Sequence, residues 1–477
     1  MLSTRAQGSP SKAPSTEKNR RNSGLNSEGI DWSRQARWLG CRCLAPLFER
    51  PCRPEIRSPA LSSHPVATAE QHDHERYAVD LIRHPTVREA FDRVKRHWLE
   101  AASPTPGPDM LGCYDWAFEE VMFSAAIWSA NQDPLRPKVT TITRLPHRLG
   151  DVTIPGSRWG IDNPDSVYRV IPIAGDERYR ITGKVAESRL PENYFTLWDD
   201  KMNTVDVLNG STLKLAADGS FEIFVDSDPA GDRPNHVRSS PAAHEFYIRD
   251  VVQDWAIDTP NELSIERLGG APSRPAPTLD EQAELTARFM LHYADSTIRF
   301  NQQAYDKPVN SLEFKIDRDT DGALRNQIYI MGHFDLEEDE ALVIDVNVAD
   351  AGYFIAPITN YWGTTNEVVH RTGSLNRAQS QANADGTYTF VLSQHDPAVP
   401  NWLDPTDMRE GILTLRWAEF PGGQPPSNVG ATSRVVPLAK LRDALPKETP
   451  IFDAAARADQ RRQRAAAYLR RMPEGEI

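Results

Sequence analysis

The spacing of hydrophobic positions changes several times along the chain, and these changes predict where helices and strands lie. Over residues 76–102 the apolar residues recur mostly at three- and four-residue steps, which predicts an amphipathic helix interrupted at Pro85. The same spacing predicts a second helix over residues 109–131 and a third over residues 279–303. We therefore expect an N-terminal helical pair and a separate connecting helix.

Short alternating runs between turn residues occupy two further stretches, residues 139–268 and 311–417. Examples are VYRVIPI and EFYIRDVV in the first stretch and IYIMGHF and ILTLRW in the second. Asp-Gly pairs at Asp218-Gly219 and Asp385-Gly386 are strong hairpin signals. No strand–helix alternation and no short fixed repeat appears, which disfavours α/β folds, propellers and solenoids. The pattern predicts a mainly β protein with two jelly-roll or Greek-key β-sandwich blocks.

Composition divides the chain further. The first 65 residues carry eleven Lys or Arg against five Asp or Glu, a net charge of +6, whereas the remainder carries −19. The predicted organisation is a disordered or mis-assigned segment at 1–65, a helical region at 66–138, the first β block at 139–270, a linker and helix at 271–310, the second β block at 311–420, and a C-terminal tail with a basic helix at 421–477. We expect that basic helix to be solvated.

Charge and hydropathy exclude several classes of protein. A net charge of −13 argues against a nucleic-acid partner, and no run of about 18 apolar residues is present that could span a membrane. Only Cys113 lies in the part expected to fold, so a reducing compartment, the cytoplasm, fits best. The chain lacks a nucleophile elbow, a phosphate-binding loop and a zinc-protease motif. His333 and Asp335 share one strand face but lack a third ligand, so we assign neither a metal nor a cofactor.

Candidate chemistry is concentrated in the second block, between residues 361 and 404. Aromatic, amide and charged side chains alternate there, as they do in pockets that orient a polar ligand. The candidate catalytic pair is Asp404 with His395 as a general base, and the candidate ligand-binding residues are Arg371, Asn376, Gln379, Tyr361, Trp362 and Trp402. Each has a structural alternative: Arg371 and Asp404 as an ion pair, Asn376 as a turn cap, and the tryptophans as core.

Three segments carry a resemblance to a known family. The stretches WGIDNPDSVYRVIPIAGDERYRITGKV, HFDLEEDEALVIDV and RTGSLNRAQSQANADGTYTFVLSQHDPAVPNWLD, followed by EGILTLRW, resemble the bacterial "domain of unknown function 1214" family over about residues 150–420. The resemblance implies a jelly-roll-type β-sandwich. It implies no established reaction, and it places Arg371, Asn376, Gln379, Asn401, Trp402 and Asp404 in the family's characteristic segments.

Three functions stay open at this point. The first is an enzyme that acts by acid–base chemistry on a carbohydrate or another polyhydroxylated or cyclic small molecule. The second is a non-catalytic module that binds a glycan or another small molecule. The third is a structural or assembly protein whose two N-terminal helices bury a homo-oligomer interface.

Overall fold

The computed structural model describes residues 64–312, 326–473 and 476. The prediction for residues 1–65 therefore falls almost wholly outside the described part of the chain. The helices are α1 (Ala69–Arg83), α2 (Pro85–Ala101), α3 (Pro108–Ser129), α4 (Leu279–Tyr305), α5 (Leu441–Ala444) and α6 (Ala454–Leu469). The strands are β1 (Thr140–Thr141), β2 (His147–Leu149), β3 (Val152–Ile154), β4 (Ser166–Pro172), β5 (Tyr179–Lys184), β6 (Glu192–Trp198), β7 (Thr204–Asn209), β8 (Ser220–Asp226), β9 (His236–Arg238), β10 (Glu245–Val251), β11 (Glu262–Arg267), β12 (Gln327–Asp335), β13 (Glu340–Asn347), β14 (Tyr353–Thr359), β15 (Ser374–Asn376), β16 (Tyr388–Leu392), β17 (Trp402–Leu403), β18 (Glu410–Ala418) and β19 (Gly430–Pro437).

The protein is mainly β with helices on its N-terminal side, as the sequence predicts. The helix boundaries follow local chemistry: α2 starts at Pro85, where a missing backbone donor costs nothing, so α1 and α2 are separate helices. At the start of α4 the Thr278 side chain and Glu281 form a reciprocal capping box.

The first block, β4 to β11, consists of two sheets around one core. One sheet has the strand order β1-β4-β10-β6-β7, and the other has the order β11-β5-β8-β9. Alternate residues of both sheets meet in the core, among them Phe195 and Phe246 from the first and Ile181 and Ile223 from the second. The opposite face of the β4-β10-β6 sheet, which carries Tyr168, turns towards the helices.

The second block, β12 to β19, repeats this topology strand for strand. Its sheets have the orders β12-β18-β14-β15 and β19-β13-β16-β17, which match β4-β10-β6-β7 and β11-β5-β8-β9 when each strand number is raised by eight. The match includes the parallel pairs, β8 with β9 and β16 with β17. The chain is therefore a structural duplication with a period of more than 150 residues, far longer than the short repeats that the sequence excludes.

Helices α1 to α4 fill the space beside the outward faces of the two sheets that contain β10 and β18. Their shared core includes Trp98, Phe118 and Trp128 from the helices, together with Tyr168 from β4 and Ile412 from β18. Among the described residues, no helix is long and apolar enough to cross a membrane.

The C-terminal helix α6 differs from the prediction of a solvated basic helix. Its side chains Arg457 and Arg464 are buried, and their seven-residue spacing places both on one face. Arg464 donates hydrogen bonds to the carbonyl oxygens of Val368 and Ser374 and lies 4.3 Å from the ring centre of Trp255. The prediction of a solvated helix fails on this face only, because these two arginines satisfy buried carbonyl oxygens whose position does not follow from local sequence.

Candidate functional site

The two blocks face each other through equivalent tyrosine–arginine pairs. In the first block Tyr168 of β4 lies opposite Arg249 of β10, and in the second Tyr329 of β12 lies opposite Arg416 of β18. The guanidinium carbon of Arg249 is 6.0 Å from the Tyr168 ring centre, and that of Arg416 is 4.5 Å from the Tyr329 ring centre. Each is a cation–π contact between matching positions of the duplicated fold.

The two pairs meet between the blocks. Arg416 Nη1 donates a long hydrogen bond, 3.5 Å, to the hydroxyl of Tyr168 in the other block. Arg416 Nη2 donates to the carbonyl oxygen of Ile161, which belongs to the loop before β4. Ile161 has a φ of 57°, a conformation that a β-branched residue rarely adopts, so the loop holds this carbonyl in place at a cost in strain.

Half-exposed aromatic rings extend this surface along the first block. Tyr247 of β10 stacks on Trp198 of β6 with ring centres 4.3 Å apart and an angle of 13° between the planes. Tyr247 also contacts Tyr168, at 5.5 Å, and Trp128 of α3, at 6.0 Å. We call the surface formed by Tyr168, Tyr247, Trp198, Tyr329, Arg249 and Arg416 the inter-block cleft. It combines flat apolar faces with two cations, as small-molecule sites do.

The two arginines of the cleft differ in their counter-ions. Arg249 Nη1 donates to Glu192 Oε1 at 3.1 Å and to Gln327 Oε1 at 3.2 Å. Arg416 has no carboxylate partner among the described residues, and its buried Nε atom has no hydrogen-bond partner there. A half-buried cation without a counter-ion favours an anion from outside the chain.

Strand register explains this difference. Glu192 lies opposite Val251 on the first block, and the equivalent residue of the second block, opposite Ala418, is Tyr353. The Tyr353 hydroxyl donates to Asp165 at 2.9 Å and does not neutralise a cation. The second block therefore keeps the arginine and lacks its acidic partner.

Two phenols of the cleft, those of Tyr247 and Tyr329, act as neutral groups. Burial raises the pKa of Tyr329 and that of Tyr247 above the ordinary value for tyrosine. Both hydroxyls therefore stay protonated at neutral pH, and they can donate hydrogen bonds to an anionic or carbonyl oxygen but cannot act as general bases.

Asp404 and Arg371, two of the residues singled out from the sequence, form a buried ion pair. Arg371 Nε and Nη2 donate to the two Asp404 oxygens at 2.5 and 2.7 Å, and Asp404 is fully buried. Arg461 of α6 adds a contact to Asp404 at 3.2 Å. The ion pair that the sequence left as an alternative is thus present, and the Asp404 oxygens are occupied.

His395, the other candidate catalytic residue, is not paired with Asp404. Its side chain is 62% exposed, and its Nε2 atom is 2.9 Å from an oxygen of Glu338. Asp404 and His395 therefore have different partners, Arg371 and Glu338. The general-base role of His395 stays a prediction.

Asn376 and Gln379 belong to a hydrogen-bond network that joins the two blocks. Asn376 Nδ2 donates to Asp165 Oδ2 at 2.9 Å, and Asp165 also accepts from the indole of Trp255 at 2.7 Å. Gln379 Oε1 accepts from Arg464 at 3.2 Å. Burial raises the pKa of Asp165 to about 6. Every polar atom named here is occupied by protein, so the network fastens the blocks together.

The three aromatic candidates lie in two further places. Tyr361 and Trp362 are buried in the helical core, where Trp362 Nε1 donates to the Met110 carbonyl oxygen at 2.7 Å. Trp402 is buried under α6, and its indole donates to Ser393 at 2.9 Å. The eight predicted site residues therefore do not line one pocket.

Metal ligands were not expected from the sequence. In the described part of the chain no three His, Cys, Asp or Glu side chains form a group that could hold a metal ion. His333 bonds to the Ala304 carbonyl oxygen at 3.1 Å, and Asp335 pairs with Arg409 at 2.6 Å.

Comparison with known proteins supports the fold and assigns no activity. No family model matches the chain, and no curated protein matches it. It is similar to the crystal structure of an uncharacterised protein from Burkholderia cenocepacia, with 26% identity, a TM-score of 0.63, and coverage of 76% of this chain and 99% of that one. The VPA0106 protein from Vibrio parahaemolyticus aligns with 12% identity and a TM-score of 0.40, covering 68% of this chain and 99% of that one. The resemblance to the domain 1214 family stays a prediction.

Sequence reasoning missed the inter-block cleft, although one signal was available. Tyr168 and Tyr329 are the second residues of the runs VYRVIP and IYIMGHF, and Arg249 and Arg416 end the runs EFYIR and ILTLR. Comparing the two strand blocks with each other would have aligned these runs and shown a tyrosine and an arginine repeated at matching positions.

Proposed function

We propose that the protein binds a small anionic molecule with a cyclic or polyhydroxylated body in the inter-block cleft. The observation that carries this proposal is Arg416, a half-buried cation without a carboxylate partner among residues 64–312, 326–473 and 476. The anionic group would accept from Arg416, and the hydroxyls of Tyr168 and Tyr329 are the nearest neutral donors. Trp198, which is half-buried and stacks on Tyr247, would lie beside the body of the ligand.

Binding is favoured over acid–base catalysis for a specific reason. The acidic group nearest to the arginines, Glu192, is 3% exposed and already accepts from Arg249 and Gln327. Burial raises the pKa of Tyr329 and that of Tyr247, so these two phenols do not serve as bases at neutral pH. A non-catalytic binding module fits this set of groups. If the ligand is a glycan, we expect an acidic sugar, because Arg416 favours a negatively charged group.

The assembly alternative has less support. Fifteen of the 22 residues of α3 are buried within the chain itself, so the apolar pattern of this helix needs no second subunit. We also infer that both blocks are Greek-key or jelly-roll sandwiches. This inference is supported by the eight strands of each block, which cross repeatedly between two mostly antiparallel sheets.

Thermal stabilisation of the full chain tests the proposed function. We expect benzoate and glucuronate to raise the melting temperature and the neutral analogues benzamide and glucose to leave it unchanged. A ligand at 100 times its Kd stabilises by about 2.7 kcal/mol. Arg416→Gln should weaken binding about 10- to 100-fold, because a hydrogen bond to a charged group contributes about 1.5–3 kcal/mol.

The matched control is Arg178→Gln, which removes the same charge from an exposed arginine of the β11-β5-β8-β9 side of the first block. It should bind as the parent does. Equal binding by the parent and Arg416→Gln would show that the cleft is not the site, and no stabilisation by either anion would refute the proposal.

A further inference from the structure

The cleft contains two arginines from equivalent positions, but only one of them carries an unneutralised charge. Glu192 Oε1 accepts from Arg249 at 3.1 Å and from Gln327 Nε2 at 2.6 Å. The equivalent position of the second block holds Tyr353, so Arg416 has no such partner among the described residues.

We propose that the cleft selects ligands carrying a single negative charge, and that Glu192 is the residue that determines this selectivity. This inference rests on the proposed binding function and specifies the ligand of the same site.

The first step of the argument is distance. Both arginines contact Tyr168: Arg249 lies 6.0 Å from its ring centre and Arg416 Nη1 lies 3.5 Å from its hydroxyl. The two arginines therefore share one tyrosine and interact electrostatically, so an anion on Arg416 would lie beside the Arg249–Glu192 pair.

The second step is electrostatic. With Glu192 ionised, the three charged side chains Arg249, Arg416 and Glu192 sum to +1, which one carboxylate neutralises. A second negative charge on the ligand would meet the carboxylate of Glu192, which is 3% exposed and poorly screened by water.

The third step is chemical equivalence within the fold. Arg249 is the residue of the first block that is equivalent to Arg416. The side chain of Glu192 is a carboxylate bound to Arg249. The cleft thus already contains one arginine–carboxylate pair, Arg249 with Glu192. A ligand carboxylate on Arg416 would form a second pair of the same kind.

Titration calorimetry of the full chain with benzoate, isophthalate and benzamide tests this inference. These probes share a ring and carry charges of −1, −2 and 0 at neutral pH. We expect the parent to bind benzoate about tenfold or more tightly than isophthalate and not to bind benzamide. In Glu192→Gln the charge of the cleft rises to +2, and isophthalate should gain about tenfold relative to benzoate.

Two further variants keep the test decisive. Glu262→Gln makes the same charge change at an exposed position of β11 and should leave the preference unchanged. The double variant Glu192→Gln/Arg249→Gln returns the charge to +1 and should restore the preference for benzoate. Circular dichroism establishes that each variant is folded.

The outcomes separate this inference from the proposed function. Loss of benzoate binding in Arg416→Gln, together with an unchanged preference in Glu192→Gln, would refute the role of Glu192 and leave the binding site standing. Equally tight binding of isophthalate and benzoate by the parent would also refute the selectivity. Absence of benzoate binding to the parent at millimolar concentration would overturn both proposals.

Discussion

Replacing Arg371 by methionine tests whether the ion pair with Asp404 is part of the architecture. Methionine keeps much of the length of the side chain and removes the guanidinium. In the parent, Arg371 donates to both oxygens of the fully buried Asp404, and only 24% of its own side chain is exposed. Burial alone would lower the pKa of Arg371, but the hydrogen bonds and charges of Asp404 and Asp407 outweigh it and raise the pKa.

The expected loss of stability follows from what remains around the carboxylate. Breaking a buried ion pair by removing one partner costs about 3–5 kcal/mol. Asp404 would keep Arg461 Nη2 at 3.2 Å and the Thr406 backbone donor at 2.9 Å, so we expect the lower end, about 3 kcal/mol. An unfolding entropy of about 2.1 cal/mol/K per residue over about 400 residues converts this into a fall of about 3.5 °C in Tm.

The assay is thermal and urea unfolding of Arg371→Met, Asp404→Asn and the double variant. The coupling energy of the double-mutant cycle should be about 2 kcal/mol, since the double variant leaves no unpaired buried charge. Arg76→Met, in an exposed pair with Asp73, should change stability by less than about 0.5 kcal/mol. A Tm for Arg371→Met within 1 °C of the parent, about a third of the expected shift, would refute the structural role and return Arg371 to the list of ligand-binding residues.

Two buried carboxyl groups should give the stability opposite dependences on pH. Burial would raise the pKa of Glu75, but the charge of Arg144 outweighs burial and lowers the pKa to about 2. Ionised Glu75 therefore contributes about 3 kcal/mol to stability above pH 4.5, and this contribution is lost as the pH falls towards 2. Urea unfolding should show this loss in the parent and not in Glu75→Gln; parallel curves would contradict it. Burial raises the pKa of Asp165 to about 6, so its ionisation costs stability as the pH rises from about 4 to 6. The fluorescence of Trp255, which donates to Asp165, should change with a midpoint near pH 6 and not change in Asp165→Asn; a midpoint below about 4.5 would contradict the prediction.

The elements could be predicted because they depend on local spacing. The interruption at Pro85 separates α1 from α2, and the Asp218-Gly219 pair leads directly into β8. Each prediction needs only neighbours within a few residues, where periodicity and turn chemistry are decisive.

The candidate site could not be predicted in the same way, because composition does not distinguish a pocket from a buried polar network. Asn376 and Asp404 have the residue types and the density of a ligand site, yet every hydrogen bond named for them ends on protein. Buried polar groups require partners wherever they lie, and partners from α6 such as Arg461 and Arg464 are about 60 to 90 residues away in sequence.

The duplication gives a physical reason for placing the binding site between the blocks. A sandwich sheet normally turns its polar face to water. The outward faces here carry polar side chains as expected, with Tyr168 opposite Arg249 in the first block and Tyr329 opposite Arg416 in the second. Here the two outward faces turn towards each other instead. Val251, Ile355 and Ala418 form a small apolar cluster there, and the polar side chains beside it lose part of their water. In the first block the carboxylate of Glu192 offsets the desolvation of Arg249. In the second block Tyr353 occupies the equivalent position and provides no carboxylate for Arg416. The difference between Glu192 and Tyr353, at equivalent positions of strands that match in topology, is therefore sufficient to leave the cation of Arg416 without a carboxylate.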